Sequence, residues 1–307
     1  MRSTHSLEET TPLRAASRRV VRELGFLNGR FGDLAHSECH ALVELERSGP
    51  LTAGHLAERL VLDKSTVSRL LTKLHKKGWV APGEDKEDGR KKPFVLTRAG
   101  QREVTGIHRA ANRTVEEALA LMSEQARGKV LEGMTLYARA LELRRRQQAF
   151  EIRKIKKADD AAMARIIRIV MPEFGCAGAG FAISDPEVDA LTAAYRGRRA
   201  GFFVLTKDEQ VVGGAGFGPL EGGDEATCEL RKMYLLGDAR GTGMGRRLLQ
   251  TVLDAAMQAS FQRCYLETTP QMTAAQGLYR SMGFERLEAP LGDTGHHGCD
   301  VWYAKDL

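Results

Sequence analysis

Cysteine is sparse: five residues at 39, 176, 228, 264 and 299, odd in number and without a single Cys-x-x-Cys pair. That spacing argues against both a structural zinc site and a disulfide framework, so no metal is expected. Nowhere do about 18 uncharged apolar residues follow one another, so no membrane-spanning helix and no membrane partner are expected. The stretch Met1 to Pro12 is polar and has no apolar leader core, and a cytoplasmic location is the simplest expectation. Internal repeats and low-complexity tracts are missing too. What is present is length: 307 residues, 42% hydrophobic, suit two cores better than one.

The charge is unevenly divided. Residues 1–150 hold 27 Lys and Arg against 19 Asp and Glu, a net +8, whereas residues 151–307 hold 19 against 21, a net −2. A basic first half suits a polyanionic partner, although a solvated cationic surface would give the same count.

Helical spacing of Val20, Val21, Leu24 and Leu27 predicts a first helix over 13–31. Ser37 is the expected N-cap of a second, which stops at Ser48-Gly49-Pro50. Short helices over 53–60 and 64–77 follow, then strands at 79–80 and 94–97 around the charged turn 84–92, and helix from 98 to 148. In the helix from Asp63, the residues Val67, Leu70, Leu71 and Leu74 form an inward face. Lys64, Ser65, Thr66, Ser68, Arg69 and Lys73 are left outward, the types that read base edges and phosphates. Arg90 and Lys91 stand at the tip of the basic turn, suited to phosphates or a minor groove. A helical hairpin with a solvated charged face is the plainer alternative. The order helix, turn, polar helix, strand, basic hairpin, strand is that of a winged helix.

Residues 10–148 resemble the MarR family of transcription regulators. The resemblance rests on Leu56-Ala57-Glu58-Arg59-Leu60, Lys64-Ser65-Thr66-Val67-Ser68-Arg69-Leu70, Leu74-His75-Lys76-Lys77-Gly78-Trp79-Val80, Asp88-Gly89-Arg90 and Leu96-Thr97-Arg98-Ala99-Gly100. It implies a homodimer with intertwined terminal helices, here about 10–30 and 98–148, on near-palindromic double-stranded DNA.

A domain boundary is expected at Arg144-Arg145-Arg146-Gln147-Gln148, giving domains 1–148 and 149–307. Beyond it strands near 201–206, 210–218, 226–236, 263–269 and 299–305 alternate with helices near 159–171, 185–196, 243–259 and 272–282, a mixed α/β domain. The strand Cys228 to Leu236 runs into Gly237-Asp238-Ala239-Arg240-Gly241-Thr242-Gly243-Met244-Gly245-Arg246-Arg247, which opens a helix. Glycines at a helix start let amides approach an anion, and the helix dipole favours it, so a diphosphate is the natural ligand. A dinucleotide fold would need a different glycine spacing and an earlier place in its domain.

With the strand Arg263 to Thr269 and the helix that closes on Gly283-Phe284, this segment resembles the GNAT superfamily of N-acetyltransferases over 150–307. Arg240, Gly243 and Gly245 match Arg-x-x-Gly-x-Gly, and Ala275, Leu278, Tyr279, Gly283 and Phe284 match Ala-x-x-Leu-Tyr-x-x-x-Gly-Phe. The resemblance implies acetyl-CoA as co-substrate, held by Met233, Tyr234 and Leu235 along the pantetheine arm. Arg240, Gly241, Thr242, Gly243, Met244, Gly245 and Arg246 would hold its pyrophosphate. It implies direct attack of a neutral amine on the thioester, with Tyr279 as proton donor to the leaving sulfur. Glu229 is the candidate base and Glu267 a rival; Tyr279 as a packing residue and Glu229 as a structural carboxylate are the alternatives. Met272 departs from the family, which often has asparagine there. The acceptor pocket is expected from Pro172 to Pro186 and from 290–299, including His296-His297, with the substrate unreadable. The whole chain is expected to be a bifunctional regulator and N-acetyltransferase. The alternatives are a regulator that senses acetyl-CoA without turnover and an enzyme whose winged helix only dimerises.

Overall fold

A computed structural model describes residues 7–307 apart from 29, 32, 84–91, 177 and 179. Its contacts divide the chain into two compact units, Met1–Lys129 and Val130–Leu307.

The first unit begins with α1 (Leu7–Glu23), the two-residue strands β1 (Arg30–Phe31) and β2 (Leu34–Ala35), and α2 (His36–Ser48). Ala35, not Ser37, is the N-cap of α2; the Glu38 carboxylate reaches back and accepts from its amide at 2.9 Å. Helices α3 (Ala53–Leu60) and α4 (Lys64–Lys76) follow, each opened by a side-chain cap, from Thr52 and Asp63. Strands β3 (Val80–Pro82) and β4 (Phe94–Leu96) pair antiparallel. Leu42, Leu56, Val67, Leu71, Leu74 and Val104 fill the core. The helix expected over 98–148 is two, α5 (Arg98–Ala120) and α6 (Glu124–Gln147). The break has a local cause: Ser123 Oγ accepts from the Ala126 amide and caps a new helix. None of the α6 side chains is buried, and Leu131, Met134 and Leu136 lie open to solvent, as do Val20 and Val21 of α1.

The second unit, which takes most of α6, is a seven-stranded sheet. After β5 (Phe150–Lys154) come α7 (Asp160–Glu173), the single turn α8 (Leu191–Ala194), β6 (Gly201–Lys207), β7 (Gln210–Pro219) and β8 (Thr227–Leu235). The helix expected over 185–196 is only a 3-10 turn, Pro186–Ala190, followed by α8. Then come α9 (Met244–Gln258), β9 (Arg263–Thr268), α10 (Thr273–Ser281), β10 (Glu285–Leu287) and β11 (Val301–Asp306). The sheet order is β10-β11-β9-β8-β7-β6-β5, and β8–β9 is the parallel pair among antiparallel neighbours. This mixed order is not the parallel sheet of a dinucleotide fold.

Two features of β8 position the site. Its pairing with β9 runs only from Thr227 to Glu229, after which the strands part. On its other edge the register with β7 slips between Gly214 and Gly216, and Lys232 sits in the bulge with φ of 51°. A left-handed lysine is strained, so something must hold it there.

Candidate functional site

The parted strands leave a cavity of about 400 Å³ whose lining is mostly apolar. Met233, Tyr234, Leu235, Arg240, Gly241, Gly243, Gly245 and Arg246 all line it, as does Tyr279 from α10. Thr242 and Met244 do not. The Thr242 hydroxyl is buried and donates to Ala239 O at 2.6 Å, tying the loop, and Met244 is wholly buried in a small core with Leu205. Gly241 and Gly243 take φ of 69° and 76°, the conformation that brings the turn into the start of α9. The first-turn amides of α9 have no intrahelical acceptor and are available to an anion. Arg240 is braced by Leu235 O and Glu173 and stacks on Phe174, yet its Nη2 is buried without a partner among the described residues. Arg246 reaches Ser281.

The end of α6 belongs to this loop. Gln147 Nε2 donates to Thr242 O at 3.2 Å. A Cβ added to Gly243 would meet Gln147 Nε2 at 2.5 Å and Leu143 Cδ1 at 3.2 Å.

A second, smaller cavity of about 50 Å³ shares Tyr234 and Met272 with the first. It is lined by Glu229, Glu267, Lys232, Arg231, His296 and Cys299 among others. Lys232 is the strained residue of the bulge, and its ammonium explains the strain: Asp185 accepts from Nζ at 2.6 Å and Glu187 at 2.7 Å. His296 Nε2 lies 3.1 Å from Asp185, and its Nδ1 lies 3.9 Å from both Glu229 and Glu267. The hydrogen bond to Asp185 is the main reason that His296 titrates above its ordinary range, against the pull of burial. Glu229 Oε2 accepts from Arg231 Nε at 2.6 Å. Glu267 Oε1 accepts from the Tyr265 hydroxyl at 2.7 Å, while its Oε2 is buried without a hydrogen bond among the described residues. Burial raises the Glu267 carboxyl above its usual range and the charge of Glu229 adds to this, against Tyr265, Thr294 and His296. Burial likewise raises the phenol of Tyr279 and keeps it protonated. The Cys299 thiol is pushed up to about 12, first by burial and then by Glu267.

The structure therefore brings Glu229, its rival Glu267 and His296 together, and turns His297 out to solvent. Asp185, Glu187 and Lys232 form a network that sequence reasoning missed. No spacing signals a pairing across 47 residues, and beside Glu229 and Arg231 in the same strand the lysine does not stand out.

In the first unit, α4 is set by its cap. Asp63 accepts from the Thr66 amide at 2.8 Å, the Ser65 hydroxyl at 2.6 Å and the Thr66 hydroxyl at 2.7 Å, bonds that hold its carboxyl well below the usual range. Arg69 donates to Thr66 at 3.1 Å and, like Lys64 and Ser68, stays exposed. Lys73 is drawn to the buried Glu38 at 2.9 Å. Arg90 and Lys91 lie outside the described residues. A metal-binding cluster is absent among the described residues, as is any helix long and apolar enough to cross a membrane.

Residues 163–284 match the model of the acetyltransferase (GNAT) family, and residues 33–91 that of the MarR family. The uncharacterized N-acetyltransferase YjgM of Escherichia coli (strain K12) is 38% identical over 157 residues, 51% of this chain and 94% of that protein. The uncharacterized HTH-type transcriptional regulator YfiV of Bacillus subtilis (strain 168) is 27% identical over 110 residues, 36% of this chain and 69% of that one. Among solved structures, an acetyltransferase from Streptococcus agalactiae covers 52% of this chain and 99% of its own, at 20% identity and a TM-score of 0.47.

Proposed function

The chain belongs to the GNAT acetyltransferase family and carries a MarR-family segment ahead of it; from that premise we propose that it is a bifunctional DNA-binding regulator and acetyl-CoA-dependent N-acetyltransferase, with functional modules 1–148 and 149–307. The observation that carries the enzymatic half is the pairing of the two cavities through Tyr234 and Met272. The larger suits an extended thioester and the smaller an amine.

The loop from Arg240 to Arg246 and the amides at the start of α9 suit a pyrophosphate, and Arg240 Nη2, buried without a hydrogen bond among the described residues, is a donor that such a ligand could satisfy. Met233, Tyr234 and Leu235, past the bulge, would flank the pantetheine arm. Thr242 and Met244 shape this loop from behind. When bound, acetyl-CoA supplies the activated acetyl group. The chain supplies a carboxylate in the small cavity to take the amine proton, Glu229 or Glu267. It also supplies a protonated phenol, Tyr279, for the departing sulfur. Calorimetric titration with acetyl-CoA, followed by thioester consumption across amines, tests this; absence of binding at millimolar levels sinks it.

The regulatory half rests on the polar face of α4. Lys64, Ser65, Thr66, Ser68 and Arg69 would meet a major groove, Lys73 would act beside Glu38, and Arg90 and Lys91 would reach from the wing. The exposed apolar side chains of α1 and α6 support a homodimer, which would read a near-palindromic site. A gel shift on the protein's own promoter at graded salt tests the interface, since phosphate contacts make affinity fall as salt rises. Acetyl-CoA sensing without turnover is the second reading, favoured by the contact of α6 with the glycine loop.

A further inference from the structure

Two carboxylates, Glu229 and Glu267, line the small cavity, and two more, Asp185 and Glu187, hold the ammonium of its Lys232. Asp185 and Glu187 are occupied by Lys232, and Glu229 by Arg231, which also donates to Pro219 O. Among the described residues that line it, both permanent cations are thus already paired with carboxylates. Glu267 is different. Its side chain is 6% exposed, it faces the cavity, and Oε2 has no hydrogen bond. A buried carboxylate oxygen without a donor is unfavourable, and a donor brought by a ligand would relieve it. An acceptor with a carboxylate beside its nitrogen would find both permanent cations taken and would set its charge against Glu267, leaving His296 alone to answer it.

Size narrows the class further. The cavity is narrow, about 50 Å³, and meets the larger one at Tyr234 and Met272. An unbranched aminomethyl end enters with the least crowding, and a methyl branch beside the nitrogen adds bulk in the same narrow space.

Resting on the acetyltransferase reading above, we propose that the acceptor is an unbranched primary alkylamine without a neighbouring carboxylate, and that Glu267, rather than Glu229, takes its proton. The ammonium donates to Glu267 Oε2 and gives up one proton to it. The neutral nitrogen then attacks the thioester carbonyl: the C–N bond forms, the C–S bond breaks and its electron pair leaves on sulfur. Tyr279 protonates that sulfur, and the second proton shed by nitrogen restores Tyr279 through solvent. Net, the amine becomes an amide, the thioester a thiol, and one proton leaves through Glu267. Glu229 Oε2 already accepts a hydrogen bond from Arg231, whereas Glu267 Oε2 has none among the described residues and can accept one from the incoming nitrogen. Burial raises the proton affinity of Glu267, which suits a base working nearer neutrality.

The test uses the full chain, acetyl-CoA and four amines: n-butylamine, 1,4-diaminobutane, sec-butylamine and L-alanine. The two unbranched amines are expected to exceed the two branched ones by roughly tenfold or more in kcat/KM, the effect of a misfitting methyl group. Glu267→Gln is expected to lower kcat about 10²- to 10⁴-fold, the usual contribution of a general base, and to abolish the acidic limb of its pH profile. Acetyl-CoA affinity of that variant, read by calorimetry, should match the parent and so report an intact fold. Preference for L-alanine or sec-butylamine, or a Glu267→Gln enzyme with unchanged kcat and pH profile, overturns this proposal while leaving the acetyltransferase reading standing. Acetyl-CoA bound but never consumed with any of the four overturns it in favour of sensing. A parent protein that fails to bind acetyl-CoA overturns both.

Discussion

Single side chains decide the chemistry here, and they differ in how openly the sequence displayed them. Tyr279 stood in a recognisable pattern, and the structure sets it on the wall of the large cavity with its phenol kept protonated by burial. Replacing it with phenylalanine should lower kcat about 10²-fold while acetyl-CoA affinity is unchanged, as steady-state kinetics and calorimetry would show. Glu229 and Glu267 were both visible as carboxylates, and position on the strand before the splay favoured Glu229, but the order of residues gave no sign of what surrounds either. What distinguishes them is Arg231 on one and an empty oxygen on the other, and both are facts of three-dimensional contact. Lys232 was hidden for the same reason. Its left-handed backbone is tolerable only because two carboxylates from a loop more than forty residues away surround it.

Helices and strands were easier to foresee wherever one periodicity ran uninterrupted. Helices α3, α4 and α9 and strands β6 to β9 stand within two or three residues of expectation because their apolar faces repeat cleanly. The long helix after Arg98 was misjudged because a single serine cap outweighs a pattern that continues on both sides. The very short β1, β2 and β10 carry too few residues to leave a pattern. Helix α2 offers a pH test. Burial opposes the charge of Glu38, but hydrogen bonds from Lys73, the Ala35 amide and Lys77 prevail and hold its carboxyl below 4.5. A lowered carboxyl stabilises the fold above its unfolded value and gives that up on acidification. Glu38→Gln should therefore cost the first unit about 1–3 kcal/mol at pH 7, and the difference from the parent in urea melts should shrink as pH falls below 4.5. On α4, Arg69→Ala should weaken promoter binding by about 1–3 kcal/mol and flatten its salt dependence. Lys73→Ala should cost less binding and more stability, because its ammonium already answers Glu38.

For the molecule as a whole, the question is whether a regulator and an enzyme in one chain affect each other. If acetyl-CoA changes affinity for DNA, then DNA must change affinity for acetyl-CoA by the same factor, so one titration pair measures the coupling from both ends. Titrating acetyl-CoA with and without promoter DNA, and the DNA with and without acetyl-CoA, should give affinity changes equal in size and in sign. Helix α6 is where an outcome of that kind could originate, and it carries a practical lesson. Its closing turn behaves as masonry rather than rope: Gln147 donates to Thr242 O and stands with Leu143 against Gly243, whose φ of 76° is what requires glycine there. Gln147→Ala combined with Leu143→Ala should loosen acetyl-CoA several-fold, and Gly243→Ala should do so more severely. A fragment trimmed to start at Phe150, where the first strand of the sheet begins, would lose that masonry and bind its nucleotide poorly for reasons unrelated to its active centre.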